Sequence, residues 1–384
     1  MANPPVDSWD RLRRHLARVE PPFDSSDTLP PACYTDPDIY ERELETIFRA
    51  SWIGVGRADR WKSPGDYAAF KLAGIPIIVL RGKEGQLRAF ANSCRHRGTQ
   101  LLEGEGNCRR ITCPFHSWTY ALDGRLIGAP KMARTRDFDE ADYGLVPVRA
   151  ATCDGFAFVC FDETAPGLDE WLGDFSELHR PWSLADLVST RRREFEVACN
   201  WKVFLEVFNE YYHLPYVHPA SLNSIYDLPD DVDETAGNYA TQFGTTRGTG
   251  GLLENTQDEP LPAIETLRDR NRQGTRYSWT FPNMTFAAGT EAIWVYEAYP
   301  LAPGRTRVGM TLCFPAATVA RPDFEARAQH YYDRFDTALA EDIPMLERQQ
   351  AGLTSPFARQ GRYSYLEPSV AAFAFWYAQK LLEP

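Results

Sequence analysis

The chain has 384 residues, 43% hydrophobic and 24% charged, which is typical of a globular protein large enough for two domains. Its formal net charge of −12 argues against a nucleic-acid-binding surface, which needs clustered lysine and arginine. No apolar run approaches the roughly 20 residues that span a bilayer, and the N-terminus lacks the apolar segment of a signal peptide. We therefore expect a cytoplasmic protein without a membrane segment.

The hydrophobic pattern of the first part of the chain changes once, from helical to strand-like. Helical periodicity over residues 8–20 and 38–50 gives way, from Trp52 to about Cys160, to short β-rich runs. Turn sequences such as SPGD, KEGQ and LDGR separate these runs. This alternation predicts a small antiparallel all-β domain.

The remainder of the chain mixes strand and helix patterns. Strand-like runs include TRRREFEVACNWKVF and AIWVYEAYPL, and helical ones include the segment around Phe204–Tyr212 and a long one from Pro322 to about Gln350. Between them, Ser221 to Arg276 is polar and weakly periodic, and we interpret it as a lid or a wall of an active site. The predicted fold class is α+β, with an all-β domain followed by a sheet with packed helices.

Two of the predicted β-domain loops carry possible metal ligands. Residues 94–96 read Cys-Arg-His and residues 113–116 read Cys-Pro-Phe-His, so each loop offers one thiol and one imidazole. Such a set can bind a tetrahedral zinc ion or a Rieske [2Fe–2S] cluster, in which two thiolates hold one iron and two imidazoles the other. One ligand of each kind on each loop favours the cluster, because classical zinc fingers group Cys with Cys and His with His.

A second candidate site lies in NWKVFLEVFNEYYHLPYVHP, residues 200–219. His213 and His218 are five positions apart, so a straight helix would point them about 140° apart. Pro215 should disturb that helix, and a π-type or broken turn could then direct both rings to one metal. Two histidines near a helix end without a metal are the alternative interpretation.

Both motifs resemble those of the terminal oxygenase (alpha) subunits of Rieske-type non-haem iron oxygenases, the ring-hydroxylating family, and in particular its choline- and betaine-oxidising branch. CRHRG and CPFHSWTYALDGRL are similar to the family's Rieske signature, with Ser117 where Gly is common. The later segment is similar to N-W-K-x-x-x-E-N-x-x-D/E-x-Y-H-x-x-x-x-H, with Val207 where Asn is usual.

The resemblance implies an α+β protein with a Rieske domain and a helix-grip catalytic domain. It implies the divisions 1–48 (an N-terminal helical part of the catalytic domain), 49–155 (Rieske) and 156–384 (catalytic). It also implies a [2Fe–2S] cluster and a mononuclear Fe(II), with ligands that we assign as Cys94, His96, Cys113 and His116 for the cluster, and His213, His218 and Asp342 for the iron. The sequence ALAEDIPMLERQQAGL supplies Asp342, which we prefer to Glu341.

Glu210 precedes His213 by three positions, so the two share a helix face if the helix extends that far. In the family, a carboxylate at this position connects a Rieske histidine of one subunit to an iron-binding histidine of the next. The resemblance therefore implies that Glu210 couples His213 to His116 of the partner subunit, within a ring-shaped homotrimer.

The expected activity is that of a monooxygenase that uses O2 to hydroxylate or N-demethylate a small quaternary ammonium compound similar to choline or betaine. No dinucleotide-binding fingerprint follows a strand, so electrons should come from a separate NAD(P)H-dependent flavin reductase, possibly with a ferredoxin. Hydroxylation of an aromatic or other small organic compound is the alternative, and an electron carrier without catalysis is a further one. An aromatic cage for the ammonium could draw on Tyr277, Trp279, Phe281, Phe286, Trp294 and Tyr296, although alternating aromatic residues on strands usually belong to the core.

Overall fold

The computed structural model describes residues 8–257 and 259–383, and its described strands form three antiparallel sheets. Seven of the strands form the first sheet, in the order β1-β10-β9-β4-β3-β2-β5. Their bounds are β1 Ile53–Arg57, β2 Asp66–Leu72, β3 Ile75–Arg81, β4 Leu87–Ala91, β5 Gly104–Asn107, β9 Pro147–Cys153 and β10 Phe156–Cys160. A small second sheet lies beside them, formed by β6 Ile111–Thr112, β7 Thr119–Tyr120 and β8 Leu126–Gly128.

The third sheet has six strands in the order β11-β16-β15-β14-β13-β12. Their bounds are β11 Leu187–Val197, β12 Tyr239–Thr245, β13 Gly274–Thr280, β14 Met284–Ala288, β15 Ile293–Ala302 and β16 Arg305–Pro315. Side chains alternate across this sheet, so Trp294 and Tyr296 face one hydrophobic core while Ile293 and Val295 face another. Both faces are therefore buried, one against the long helices and one against short helices, and side chains of the first sheet contribute to both cores.

The helices pack around the third sheet and at its ends. In chain order they are α1 Ser8–Leu16, α2 Ala32–Thr35, α3 Pro37–Glu43, α4 Leu168–Leu172, α5 Phe175–His179, α6 Trp201–Phe208, α7 Leu214–Val217, α8 Ala316–Val319, α9 Phe324–Leu353 and α10 Pro368–Leu382. A π-helical turn, Leu44–Phe48, continues α3, and short 3₁₀ turns occupy Phe23–Ser25, Ala58–Arg60, Met132–Arg134, Glu140–Tyr143, Arg180–Trp182, Leu184–Asp186 and Asp269–Arg272. No described helix is long and apolar enough to cross a membrane.

The predicted helices and strands agree with this arrangement except around residue 200 and in the polar segment from Ser221 to Arg276. The predicted strand TRRREFEVACNWKVF ends at Val197, because Asn200 caps α6 by accepting a hydrogen bond from the backbone N–H of Lys202. The predicted helix around Phe204–Tyr212 ends at Phe208, so Glu210 and His213 do not lie on one continuous helix. The polar segment from Ser221 to Arg276 contains strand β12, a 3₁₀ turn and the first residues of β13 in addition to loops.

A reciprocal pair of hydrogen bonds joins the first and third sheets. The side chain of Asn283, between β13 and β14, accepts from the backbone N–H of Gly54 at 2.9 Å and donates to its carbonyl at 3.0 Å. Gly54 lies in β1, where a Cβ would approach the Cβ of Met284 to 2.7 Å, so only glycine fits this contact. Asn283 thus fixes the position of the first sheet relative to the third.

A buried ion pair connects α3, α6 and α10. The Glu43 carboxylate accepts from the ammonium of Lys202, from the indole N–H of Trp201 at 2.9 Å and from the hydroxyl of Tyr377. The side chains of Glu43 and Lys202 are at most 1% exposed. Each charge is therefore compensated only by its partners in the protein interior.

Removing the cation of this pair should destabilise the fold. We expect Lys202→Met to lower the free energy of unfolding by about 3–5 kcal/mol, because the Glu43 carboxylate would remain buried and uncompensated. Urea denaturation followed by circular dichroism measures the change, with the exposed Lys83→Met as the matched control. Equal denaturation midpoints for the two variants would contradict the prediction.

Candidate metal centres

The four predicted cluster ligands lie on two adjacent loops of the β domain. Cys94 and His96 follow β4, and the backbone N–H of Gly98 closes the first loop on the Cys94 carbonyl at 2.8 Å, with Gly98 at φ +76°. Cys113 and His116 lie between β6 and β7, where the Cys113 N–H donates to the Trp118 carbonyl at 2.8 Å. These backbone hydrogen bonds hold both loops in shape without a metal.

The structure brings the four side chains of these loops together. The rings of His96 and His116 are 4.8 Å apart between centroids, and His96 stacks on Trp118 at 4.9 Å. The thiols of Cys94 and Cys113 are buried, and the hydroxyl of Tyr120 lies 3.3 Å from the Cys94 sulfur. The arrangement offers two buried sulfur donors and, on its more exposed side, two imidazoles.

The electrostatics around the thiols suit a cluster. Burial alone would raise the pKa of Cys113, but hydrogen bonds from the backbone N–H groups of Phe115 and His116 outweigh it and lower this pKa. Donors that stabilise a thiolate also stabilise sulfur bound to iron. The donor set of two thiolates and two imidazoles therefore fits a Rieske cluster.

Ser117 stands in this second loop where the family commonly has glycine. Its φ of +59° lies in the left-handed region, which side chains with a Cβ adopt at a cost of roughly 1–2 kcal/mol. The backbone N–H of Ser117 still donates to the Cys113 carbonyl at 3.0 Å. Serine in place of glycine therefore adds backbone strain to the loop but keeps its hydrogen bond.

The second candidate site is built by a turn and a short helix after α6. His213 immediately precedes α7 and His218 immediately follows it, and Pro215 lies in its first turn, where no N–H is needed. Of the two predicted alternatives, a π-type turn or a broken helix, the described backbone has the broken helix, since α6 ends at Phe208 and α7 begins at Leu214. The two rings converge, with centroids 5.1 Å apart, because each lies at an end of the single turn.

Asp342 on α9 completes a group of three possible metal ligands. One donor atom from each of His213, His218 and Asp342 lies within 4.8 Å of the others. The Asp342 Oδ1 is 3.0 Å from the Nε2 of His218 and 3.7 Å from the Nε2 of His213. This oxygen is buried and accepts no hydrogen bond from the described residues. A cation among the three atoms would satisfy it, so the group fits a metal ion.

Two carboxylates orient the imidazoles of this group. The Nδ1 of His213 lies 2.5 Å from Glu210, and the Nδ1 of His218 lies 2.6 Å from Glu341. Carboxylates accept from Nδ1–H, and in the tautomer that this favours the Nε2 lone pairs of both rings face Asp342, as metal ligation requires. Burial alone would lower the pKa of His213, but contact with Glu210 and the charge of Asp342 outweigh it and raise this pKa.

Glu341 is thus a functional candidate that the sequence analysis passed over in choosing Asp342. Its carboxylate also accepts from the hydroxyl of Ser221 at 2.6 Å, which holds it against His218. Adjacent residues on a helix point about 100° apart, so one can reach the metal while the other reaches the ring behind it. In the sequence, the adjacent acidic residues Glu341 and Asp342 were the feature that could have indicated these two roles.

A cavity of about 260 Å³ opens beside the three ligands. Glu206, Val207, Glu210, His213 and Asp342 contribute to its lining. Val207 gives this wall an apolar side chain where most of the family has an amide, so no side-chain hydrogen bond is available there.

Glu206 should make stability depend on pH. Burial raises its pKa to about 7, although a 2.7 Å hydrogen bond from Tyr34 and the charge of Lys202 oppose the rise. The folded protein therefore holds a proton that the unfolded chain releases near its ordinary value of 4.5. Consequently the free energy of unfolding decreases as pH rises from about 4.5 to about 7, by on the order of 3 kcal/mol in total.

We expect Glu206→Gln to remove this dependence on pH. The free energy of unfolding of the variant, relative to that of the unsubstituted protein, should therefore be higher at pH 8 than at pH 5. Urea denaturation at both pH values measures the difference, with the exposed Glu103→Gln as control. A difference that is the same at pH 5 and pH 8 would show that Glu206 titrates normally.

The six aromatic residues proposed for a cage divide into two groups. Trp279 and Phe281 pack with Phe373 of α10, and Phe286 faces the opposite side of the sheet. These three belong to the core. Tyr277, Trp294 and Tyr296 instead join a cluster that faces α9, and its other members are Phe208, Tyr211, Tyr226 and Phe335.

Comparison with protein families assigns both halves of the chain. Residues 51–139 match the Rieske [2Fe–2S] domain, and residues 184–383 match the ring hydroxylating alpha subunit (catalytic domain). The chain belongs to the Rieske-type ring-hydroxylating oxygenases. It is therefore an oxidoreductase that carries a [2Fe–2S] cluster and a mononuclear iron, which excludes the zinc interpretation of the first site and the simple electron carrier.

Individual relatives cover most of this oxygenase. It is 31% identical to the carnitine monooxygenase oxygenase subunit of Acinetobacter pittii, over 87% of this chain and 88% of the relative. It is 29% identical to the chloroplastic choline monooxygenase of Spinacia oleracea, over 94% of this chain and 80% of the relative. The solved structure of a quaternary ammonium Rieske monooxygenase, studied for carnitine oxidation by gut microbiota and for inter-subunit electron transfer, superposes with a TM-score of 0.80 at 28% identity. The match covers 96% of this chain and 98% of that one.

Proposed function

We propose that this oxygenase hydroxylates a carbon next to the nitrogen of a small quaternary ammonium compound. The reaction takes up O2, two electrons and two protons, places one oxygen atom in the new C–OH group and releases the other as water. A hydroxylated N-methyl group then leaves as formaldehyde: the hydroxyl group loses its proton, its oxygen forms the C=O bond, and the nitrogen retains the electron pair of the broken C–N bond. The observation that carries the proposal is the convergence of His213, His218 and Asp342 beside a buried cluster of aromatic residues.

We propose that Cys94 and Cys113 hold one iron of the cluster, and that His96 and His116 hold the other. His213, His218 and Asp342 would hold the mononuclear iron, which supplies reductive activation of O2 when bound. Glu210 and Glu341 keep the two iron-binding imidazoles in the required tautomer and orientation.

The proposed assembly is a homotrimer in which Glu210 connects His213 to His116 of the partner subunit. Within the described chain, no hydrogen bond, ion pair or ring contact joins the two candidate centres, so a second chain is the natural source of electrons. Exposed aromatic side chains flank each centre: Phe115 is 60% exposed beside His116, and Tyr216 is 76% exposed near His213. Such apolar surface supports association between copies.

The electrons would come from a separate NAD(P)H-dependent reductase, with or without a ferredoxin. Relatives named as oxygenase subunits support this, since the name implies another component.

The test is NAD(P)H-linked turnover with a surrogate reductase, using carnitine, γ-butyrobetaine, glycine betaine and choline beside simple aromatic acids. We expect product from at least one trimethylammonium compound, with a mass gain of one oxygen atom or with formaldehyde release. Turnover of an aromatic acid alone would overturn the substrate class.

A further inference from the structure

Arg334 places a buried positive charge inside the aromatic cluster. It lies on α9 and is 5% exposed, with its guanidinium 5.3 Å from the ring centroid of Trp294 and 4.5 Å from that of Phe335. Its Nη2 donates to the hydroxyl of Tyr226 at 2.9 Å, and this hydroxyl also accepts from Tyr277 at 3.0 Å. The guanidinium is thus held by aromatic rings and phenols.

This charge lacks an anionic partner in the chain. No carboxylate within residues 8–257 and 259–383 forms an ion pair with Arg334, and its buried Nε donates to no described acceptor. A buried cation without a counter-ion is costly, and cation–π contacts offset only part of that cost. The surroundings of Arg334 are therefore suited to an anionic group of a ligand.

Other buried polar atoms of the same cluster are also unsatisfied. The hydroxyl of Tyr211 and the indole N–H of Trp294 have no hydrogen-bond partner among the described residues, and both side chains are less than 10% exposed. Tyr211 and Trp294 both make ring contacts with Tyr277, at 5.6 and 6.2 Å between centroids. Buried polar groups in folded proteins are normally paired, so this group of donors points to a polar ligand.

The cluster is connected to the proposed iron site. Arg334 and Asp342 are eight residues apart on α9, which is about 12 Å along the helix axis. The charges of both residues act on the buried phenol of Tyr296: burial raises its pKa, the charge of Arg334 lowers it and that of Asp342 raises it. Tyr211 lies two positions before His213. A molecule held at Arg334 could therefore extend towards the three metal ligands.

We infer that Arg334 binds the carboxylate of the substrate, so that this oxygenase selects zwitterionic trimethylammonium carboxylates over quaternary ammonium alcohols. The inference rests on the proposed function and narrows its substrate class. The guanidinium presents a planar pair of N–H donors, which matches the two oxygens of a carboxylate. A neutral alcohol offers neither a negative charge nor a second oxygen, so it gains no comparable interaction.

The position of the quaternary nitrogen follows from the same geometry. The guanidinium already lies over Trp294, so that ring does not serve an ammonium cage. Phe208, Tyr277 and Tyr296 form another part of the cluster, with the Phe208 centroid 5.4 and 4.8 Å from those of the other two. These rings can contact the methylated nitrogen while Arg334 holds the other end.

The test compares binding of glycine betaine and γ-butyrobetaine with binding of choline, by calorimetry on the full-length protein loaded with both metal centres. Choline differs from glycine betaine in carrying an alcohol where the latter carries a carboxylate. We expect at least one carboxylate compound to bind more tightly than choline to the unsubstituted protein. We expect Arg334→Gln to weaken that binding by about 10- to 100-fold and to change choline binding by less than about 3-fold.

Two further variants control for folding and for charge. Arg348→Gln removes an exposed arginine from the same helix and should leave all three affinities unchanged. Arg334→Lys keeps the charge without the planar fork and should recover part of the lost affinity. If both Arg334 variants misfold, the affinities of the three ligands for the unsubstituted protein still test the predicted preference for carboxylates.

The outcomes separate this inference from the proposed function. Binding of choline at least as tight as that of both carboxylates, or an equal loss for all ligands in Arg334→Gln, would overturn the role of Arg334. Such results leave the proposed function intact if trimethylammonium compounds still turn over. Binding of a carboxylate that depends on Arg334 but leads to no turnover would instead count against the proposed reaction and support the binding site.

Discussion

Replacement of Asp342 by alanine is expected to abolish product formation and to lower the iron content from about three to about two per chain, with two sulfides retained. Asp342 supplies the only carboxylate oxygen that the described structure brings near both Nε2 atoms of His213 and His218. Two imidazoles alone hold a ferrous ion weakly, so the ion should be lost on desalting. Metal analysis, sulfide analysis and the visible spectrum of the cluster measure the result.

Asp333→Ala is the matched control, because Asp333 is exposed on the same helix and accepts a hydrogen bond from the side chain of Gln329, away from the three ligands. It should retain all the iron and full activity. If Asp342→Ala also retained about three irons, the third ligand would have to be sought elsewhere, and Glu341 would be the first candidate.

Replacement of Glu210 by glutamine is expected to leave both metal centres bound and to slow electron transfer between them by about 10- to 100-fold. Glutamine still caps the turn, where Glu210 accepts from the backbone N–H of His213 at 3.1 Å. It cannot replace the charged acceptor at the His213 Nδ1, which aligns the ring. Oxidation of the prereduced cluster, measured in a single turnover by stopped-flow absorbance, reports the transfer rate.

Glu367→Gln is a useful comparison because Glu367 lines the same cavity, where burial and the nearby charge of Glu210 raise its pKa. This variant should transfer electrons at close to the original rate. Unchanged single-turnover kinetics in Glu210→Gln would show that the carboxylate is not required for coupling, whatever its effect on steady-state activity.

Much of the candidate site was predictable because its ligands lie close together in the sequence. The pairs Cys94–His96 and Cys113–His116 each occupy one short loop, so the local pattern contains most of the geometry. The same holds for His213 and His218 at the two ends of α7. Family membership, the fold class and both cofactors are confirmed; the ligand assignments and the division at residues 48 and 155 remain predictions.

Contacts between distant segments were harder to predict. Glu341 reaches His218 only through the packing of α9 against α7, and Arg334 meets Tyr226 from a loop whose sequence has weak periodicity. The end of α6 was also missed, although Glu210 still reaches His213 because its side chain caps the turn between them. In each case tertiary packing, which no short sequence window contains, determined the result.

The reciprocal hydrogen bonds between Asn283 and Gly54 have a consequence for kinetics. They hold the two sheets of a single chain together at β1, and thereby keep that chain's cluster from swinging towards its own iron. In the proposed assembly, the distance that electrons travel is then set by how copies associate. Specific activity should accordingly fall on dilution, as copies separate, while the metal content of every chain stays constant.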